Sequence, residues 1–156
     1  MFRKDQGGNE MAENNLTAGT ARVDITPPIG FRLQGIMRRV EPSTGIHMPL
    51  AATALVIADA NHKIAVIDCD LVGLDIELAS TIRQTVAERI GTELSHVTVA
   101  CTHTHNSPAT CRNSLGGPHD LYPETEEIEA LDAYIVELVQ KLAGVAAAAD
   151  ANRRPA

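Results

Sequence analysis

The rhythm of apolar and polar positions changes several times along this chain, and each change marks an element. Residues 18–24 (Ala-Gly-Thr-Ala-Arg-Val-Asp) read as a short strand that ends at Thr26, because Pro27 and Pro28 remove two successive backbone donors. Residues 30–44 show no period and hold Gly35, Arg38 and Arg39; this is a long loop, and long loops in compact domains are often functional. Residues 51–58 and 63–68 are two apolar runs joined by Asp59-Ala60-Asn61-His62, which is turn chemistry, so together they predict a hairpin. Leu78, Ile82, Val86 and Ile90 recur every four residues and predict an amphipathic helix over about residues 75–90, with Gly91 placed to end it. Residues 97–100 (Val-Thr-Val-Ala) form a further core strand, and residues 113–123 a Gly- and Pro-rich loop.

A second helical stripe follows, with Ile128, Leu131, Ile135, Leu138, Leu142 and Val145 at spacings of three and four. Glu124, Glu126, Glu127 and Glu129 lie near its N-terminus, where they suit the helix dipole. The helix is expected to leave an exposed apolar face, and the Ala146–Ala149 run to fray into a polar tail. Strands mixed with helices predict an α/β (or α+β) fold, a layered sheet with packing helices. The expected organisation is a disordered lead over residues 1–17, one domain over 18–150 and a polar tail over 151–156.

Composition narrows this picture. A chain of 156 residues holds one ordinary domain, and 44% hydrophobic residues supply its core. Aromatics are only 3%, so that core is built from Ala, Val, Ile and Leu. The net charge of −7 argues against a nucleic-acid partner; Arg38-Arg39 and Arg153-Arg154 are isolated pairs rather than a basic patch. No run approaches the roughly 20 apolar residues that span a bilayer. The three cysteines have no CxxC spacing, which fits a reducing compartment or at most one disulfide. The first 15 residues have no apolar signal region, so the default expectation is a cytoplasmic protein; a secreted or periplasmic one is expected if the true start lies elsewhere, Met11 being one alternative.

The chemistry concentrates in Cys101-Thr102-His103-Thr104-His105-Asn106-Ser107-Pro108. In an extended chain, residues two apart face the same way, so His103 and His105 can aim two imidazoles into one cavity at a strand end. Neutral imidazole is the commonest metal ligand, and a catalytic zinc takes three protein ligands and an open position. Candidates for further ligands are His47, Asp68, Asp70, His119 and Asp120. The plainer reading makes the pair polar loop sequence, Asp70 a helix-capping or loop carboxylate, His119 an exposed loop residue, His62 a turn residue, His96 a strand-edge one and Cys101 a small buried hydrophobe. Ser107 lacks the Gly-x-Ser-x-Gly context of a nucleophile elbow.

Taken in order, residues 21–30 (with Asp24-Ile25-Thr26-Pro27-Pro28), Gly45-Ile46-His47, residues 67–74 and residues 99–110 resemble the neutral/alkaline, non-lysosomal ceramidase family and its bacterial relatives. The resemblance covers about residues 18–112 and implies the N-terminal part of a larger ceramidase-like catalytic domain. It implies a zinc-dependent amidase that cleaves the N-acyl bond of ceramide, or of a related lipid amide. By that likeness His103 is a zinc ligand, and His105 lies beside the metal as a catalytic residue contacting substrate or stabilising the oxyanion. The family's other zinc ligands, a histidine, a glutamate and a tyrosine, lie further along its longer chains. Asn106-Ser107 stands where the family typically has Ser-Gly.

Two rival expectations stand beside this one. The first is a metal hydrolase of another amide or ester, motivated by Asn106-Ser107. The second is a non-catalytic fragment whose site is completed by a partner chain or by self-association, since two histidines do not complete a catalytic zinc site.

Overall fold

A computed structural model of the chain describes residues 16–36, 39, 41–111 and 125–156. Its elements are β1 (Thr17–Asp24), β2 (Ala51–Ala58), β3 (Lys63–Cys69), α1 (Ile76–Ile90), a single 3₁₀ turn (Leu94–His96), β4 (Val97–Cys101), α2 (Thr125–Ala151) and β5 (Arg154–Pro155). The five strands form one sheet in the order β4-β3-β2-β1-β5. The hairpin is formed as expected: β2 and β3 pair antiparallel from Ala52↔Cys69 to Ala58↔Lys63. β1 joins β2 antiparallel, whereas β4 joins β3 parallel after the α1 crossover.

Both helices cover one face of the sheet. Ala52, Ala54, Val56, Ala65, Ile67 and Cys69 point towards them and are almost completely buried. From the helices, Ile82 and Val86 of α1 and Leu131, Leu138, Leu142 and Ala146 of α2 fill the same core. Each fully buried Leu or Ile contributes roughly 1.5–3 kcal/mol. Asp75 caps α1, its side chain accepting from the Leu78 N–H at 2.9 Å, and Gly91 closes the helix in the left-handed conformation at φ 66°.

Three expectations are corrected. The apolar stripe of α2 is not exposed but packs on the sheet, with Leu131, Leu138 and Leu142 at 1% exposure or less. On the opposite, helix-free sheet face Ile64 and Val66 stand about 40% exposed. Nor does the Ala146–Ala149 run fray: Ala146 and Ala149 are buried and α2 continues to Ala151, because small side chains bring this end of the helix close to the sheet. The segment 151–156 is polar and exposed but ordered, with Thr17↔Pro155 and Ala18↔Arg154 pairing on β1. Of the expected disordered lead, residues 1–15 lie outside the described residues, and Thr17 already opens β1. Among the described residues, no helix is long and apolar enough to cross a membrane.

Candidate functional site

The parallel pairing of β3 and β4 sets their carboxyl ends side by side, with Cys69 opposite Cys101. Carboxyl ends of parallel strands are where α/β folds gather their sites. Here the chain leaves β3 through Asp70, Leu71 and Val72, and leaves β4 through Thr102 and His103. The two exits are laced together: the Thr102 N–H donates to the Cys69 carbonyl at 2.9 Å and the His103 N–H to the Leu71 carbonyl at 3.0 Å. Asp70 fixes the edge, its carboxylate accepting from the Ala51 N–H at 3.0 Å and the Thr102 hydroxyl at 3.2 Å. Asp70 is therefore a loop carboxylate that joins strand ends and caps no helix; the α1 cap is Asp75.

His103 and His105 do come together, with ring centroids 5.0 Å apart and planes at 77°. The reason differs from the expected one. β4 ends at Cys101, and His103 has φ 64°, so the pair sits on a turn rather than on an extended strand. A left-handed conformation is uncommon for a non-glycine residue and costs on the order of 1–3 kcal/mol, which persists only where the surroundings enforce it. Here the surroundings are a ring hydrogen bond as well as the backbone one: His103 Nδ1 lies 2.6 Å from the Val72 carbonyl oxygen. That oxygen can only accept, so Nδ1 is the donor, and in the neutral ring Nε2 keeps its lone pair. A metal-binding histidine is oriented in the same manner, donating its other ring N–H to a carbonyl or carboxylate.

Opposite the turn runs the strap of residues 31–36. Gln34 bridges to Ser107, its N–H donating to the Ser107 carbonyl at 2.8 Å, and its side-chain amide donates to the Cys111 carbonyl at 3.0 Å. Gly35 (φ 111°) lies against His105 so closely that a Cβ there would stand 2.5 Å from His105 Cγ. Ser107 is fully buried, with its hydroxyl accepting from the Val72 N–H at 2.9 Å, which is a structural role and agrees with the absence of an elbow motif.

Thr104 and Asn106 line a cavity of about 360 Å³, walled by Pro27, Leu33, Ile46, Met48 and Leu50. The imidazoles of His103 and His105 are not among its walls. His47 and Asp70 also line it. Asp68 lies in β3 and is exposed, because β3 buries Ala65, Ile67 and Cys69 and turns the alternate positions outwards. His119 and Asp120 lie outside the described residues. His62 and His96 face each other at 6.2 Å in a cleft that also holds Lys63 and Gly91; His62 is the expected turn residue, and His96 ends the 3₁₀ turn just before β4. Cys101 is half-buried rather than fully so, because β4 is an edge strand. Burial pushes the Cys69 thiol up to about 12 and that of Cys101 to about 11, so neither is an ionised nucleophile at neutral pH. Among the described residues, no group of three or more His, Cys, Asp or Glu is gathered closely enough to hold a metal ion.

The spacing of His103 and His105 marks the pair but not its surroundings, the Val72 carbonyl under the His103 ring and the Gln34 bridge to Ser107. The flagged long loop holding Gly35 and Arg39 was the available signal.

A two-layer α/β fold, one mixed sheet with two helices on one face, defines the structural class, and solved structures share that fold. The fold is similar to the neutral ceramidase from Pseudomonas aeruginosa, with a TM-score of 0.65 at 20% identity over 92% of this chain. It is likewise similar to a ceramidase complexed with C2, with a TM-score of 0.62 at 18% identity, again over 92% of this chain. The match covers 22% of each of those chains, so this chain spans about a fifth of their length. No family model matches the sequence, and no curated protein does.

Proposed function

We propose that this chain supplies the imidazole part of a zinc-dependent amide hydrolase site of the neutral ceramidase type, acting on the N-acyl bond of ceramide or a related lipid amide. The observation that carries the reading is His103, whose Nδ1–H is held by the Val72 carbonyl while Nε2 stays free, with the His105 ring 5.0 Å away. The ceramidase-like fold around that turn supports it. The His103 imidazole suits zinc as one member of a donor set; a catalytic zinc takes three protein ligands, so the remainder would come from residues outside those described, or from a partner chain. Bound zinc would polarise the scissile carbonyl and bring the pKa of a bound water to about 7. In this reading His103 Nε2 would hold the metal, and His105 would donate a hydrogen bond to the developing oxyanion or carry a proton. The apolar cavity behind Thr104 and Asn106 falls within the size range of ligand pockets and suits an acyl chain.

The deciding experiment measures zinc per chain after dialysis for the wild type and for the His103→Ala/His105→Ala variant, beside turnover of ceramide and of short N-acyl amides. Zinc retained by the wild type and lost by the variant is the expected result. Equal zinc in both would remove the reading, and turnover of the short amides alone would move the substrate away from lipids.

A further inference from the structure

We propose that Arg39 is the residue that positions His105, by clamping the histidine turn to the strap with its planar guanidinium. The proposal rests on the reading of His103 and His105 as the functional pair. Arg39 Nη2 donates to the carbonyl oxygens of Leu33, at 3.0 Å, and Gln34, at 3.3 Å, and also to the His105 carbonyl. Nη1 donates to the Asn106 side-chain oxygen at 2.9 Å. One side chain therefore gathers oxygens from the two segments that face each other across the site.

The geometry explains why that gathering matters for His105 in particular. His105 has no ring hydrogen bond of the kind that fixes His103 among the bonds described. Its seat is steric: the strap packs on it at Gly35, where no side chain fits, and the His103 ring lies 5.0 Å away. A steric seat of this kind holds only while strap and turn stay together. Gln34 joins them at Ser107, and Arg39 joins them at His105 and Asn106, on either side of the ring-bearing residue's peptide link. A guanidinium suits the task because its donors lie in one rigid plane and its charge is permanent. An ammonium is a point charge on a flexible stem and cannot reach all these acceptors in the same arrangement.

The test uses the whole chain with Arg39→Ala and Arg39→Lys, read by two measurements. The first is the set of nuclear Overhauser contacts between the Gly35 α-protons and the His105 ring; the second is zinc affinity against a competing chelator. Both variants are expected to lose the contacts while core methyls such as Ile67 and Leu142 keep their wild-type shifts. Zinc affinity is expected to fall about tenfold, the lower end of the loss seen when a group supporting a metal ligand is removed. Arg39→Lys keeps the charge and the aliphatic stem, so it tests the fork even where Arg39→Ala fails to fold. Wild-type contacts in the lysine variant would overturn the clamp. Failure of the wild type to take up zinc would count against the proposed function alone, and the ring contacts would still decide Arg39.

Discussion

His103 Nδ1 stands 2.6 Å from the carbonyl oxygen of Val72, and this one bond ties a ring on the β4 exit to the backbone of the β3 exit. The tautomer follows from it, since a carbonyl offers no proton. Long-range ¹H–¹⁵N spectra of the metal-free protein at pH 8 are expected to show His103 protonated at Nδ1. Asparagine can make the same donation from its side-chain amide, and it tolerates φ 64° better than other residues. His103→Asn should therefore fold with stability within about 1 kcal/mol of wild type, yet lose zinc uptake. Retained uptake in that variant would show that the Nε2 lone pair is not the donor.

The cysteines give a second check on the geometry of the strand ends. Burial, and then the neighbouring Cys101, raises Cys69 to about 12; burial, and then Cys111, raises Cys101 to about 11. Cys111 is raised as well, again by burial first. Thiolates are the reactive form, so at pH 8 all three should react slowly with a thiol reagent. Cys69 should be the slowest, with fast labelling of all three only after denaturant is added. Rapid labelling of Cys69 in the folded protein would mean that β3 does not bury it.

How far the sequence carried the fold depends on which interactions are local. The α1 boundaries were legible because its stripe, Asp75 and Gly91 are short-range signals. The β2–β3 hairpin was legible for the same reason. The end of α2 was not, since Ala146 and Ala149 resemble a fraying run until β1 is seen beneath them. The pairing of Arg154 with Ala18 spans the length of the chain and leaves no local trace. The site divides in the same way. His103 and His105 were found by their spacing, whereas the left-handed turn, the Val72 carbonyl and the Arg39 fork depend on which segments meet in space.

Tyr134 tests the link between the helical layer and the start of the long loop. Its hydroxyl donates to the Ile25 carbonyl at 2.7 Å in a buried setting, and its ring meets that of Phe31 edge-on at 5.8 Å. Tyr134→Phe keeps the ring and leaves a buried carbonyl without this donor, a loss of about 1–3 kcal/mol. Urea unfolding should show a lower midpoint with an unchanged slope. A variant as stable as wild type would mean that water reaches Ile25.

Asp150 should govern part of the response to acid. It joins Lys63 at 2.9 Å and Arg153 at 2.7 Å, while Arg153 also reaches the Thr17 hydroxyl at 2.8 Å, so the carboxylate ties the end of α2 to β3 and β1. Burial acts to raise its pKa, but the hydrogen bonds from Lys63 and Arg153 and their charges together outweigh it and hold the group below its ordinary 3.8. A carboxyl whose folded pKa lies below the unfolded value stabilises the protein fully above the unfolded pKa. That contribution is lost as pH falls through the folded pKa. Asp24, held down by the Thr26 hydrogen bonds, and Asp59, held down by the Asn61 and His62 N–H groups, act in the same direction. Asp150→Asn should therefore cost about 1–3 kcal/mol at pH 7, the range for a hydrogen bond to a charged group. The gap from wild type should close as both are titrated below about pH 4, and a gap that stayed constant to pH 2 would assign the effect to packing rather than to charge.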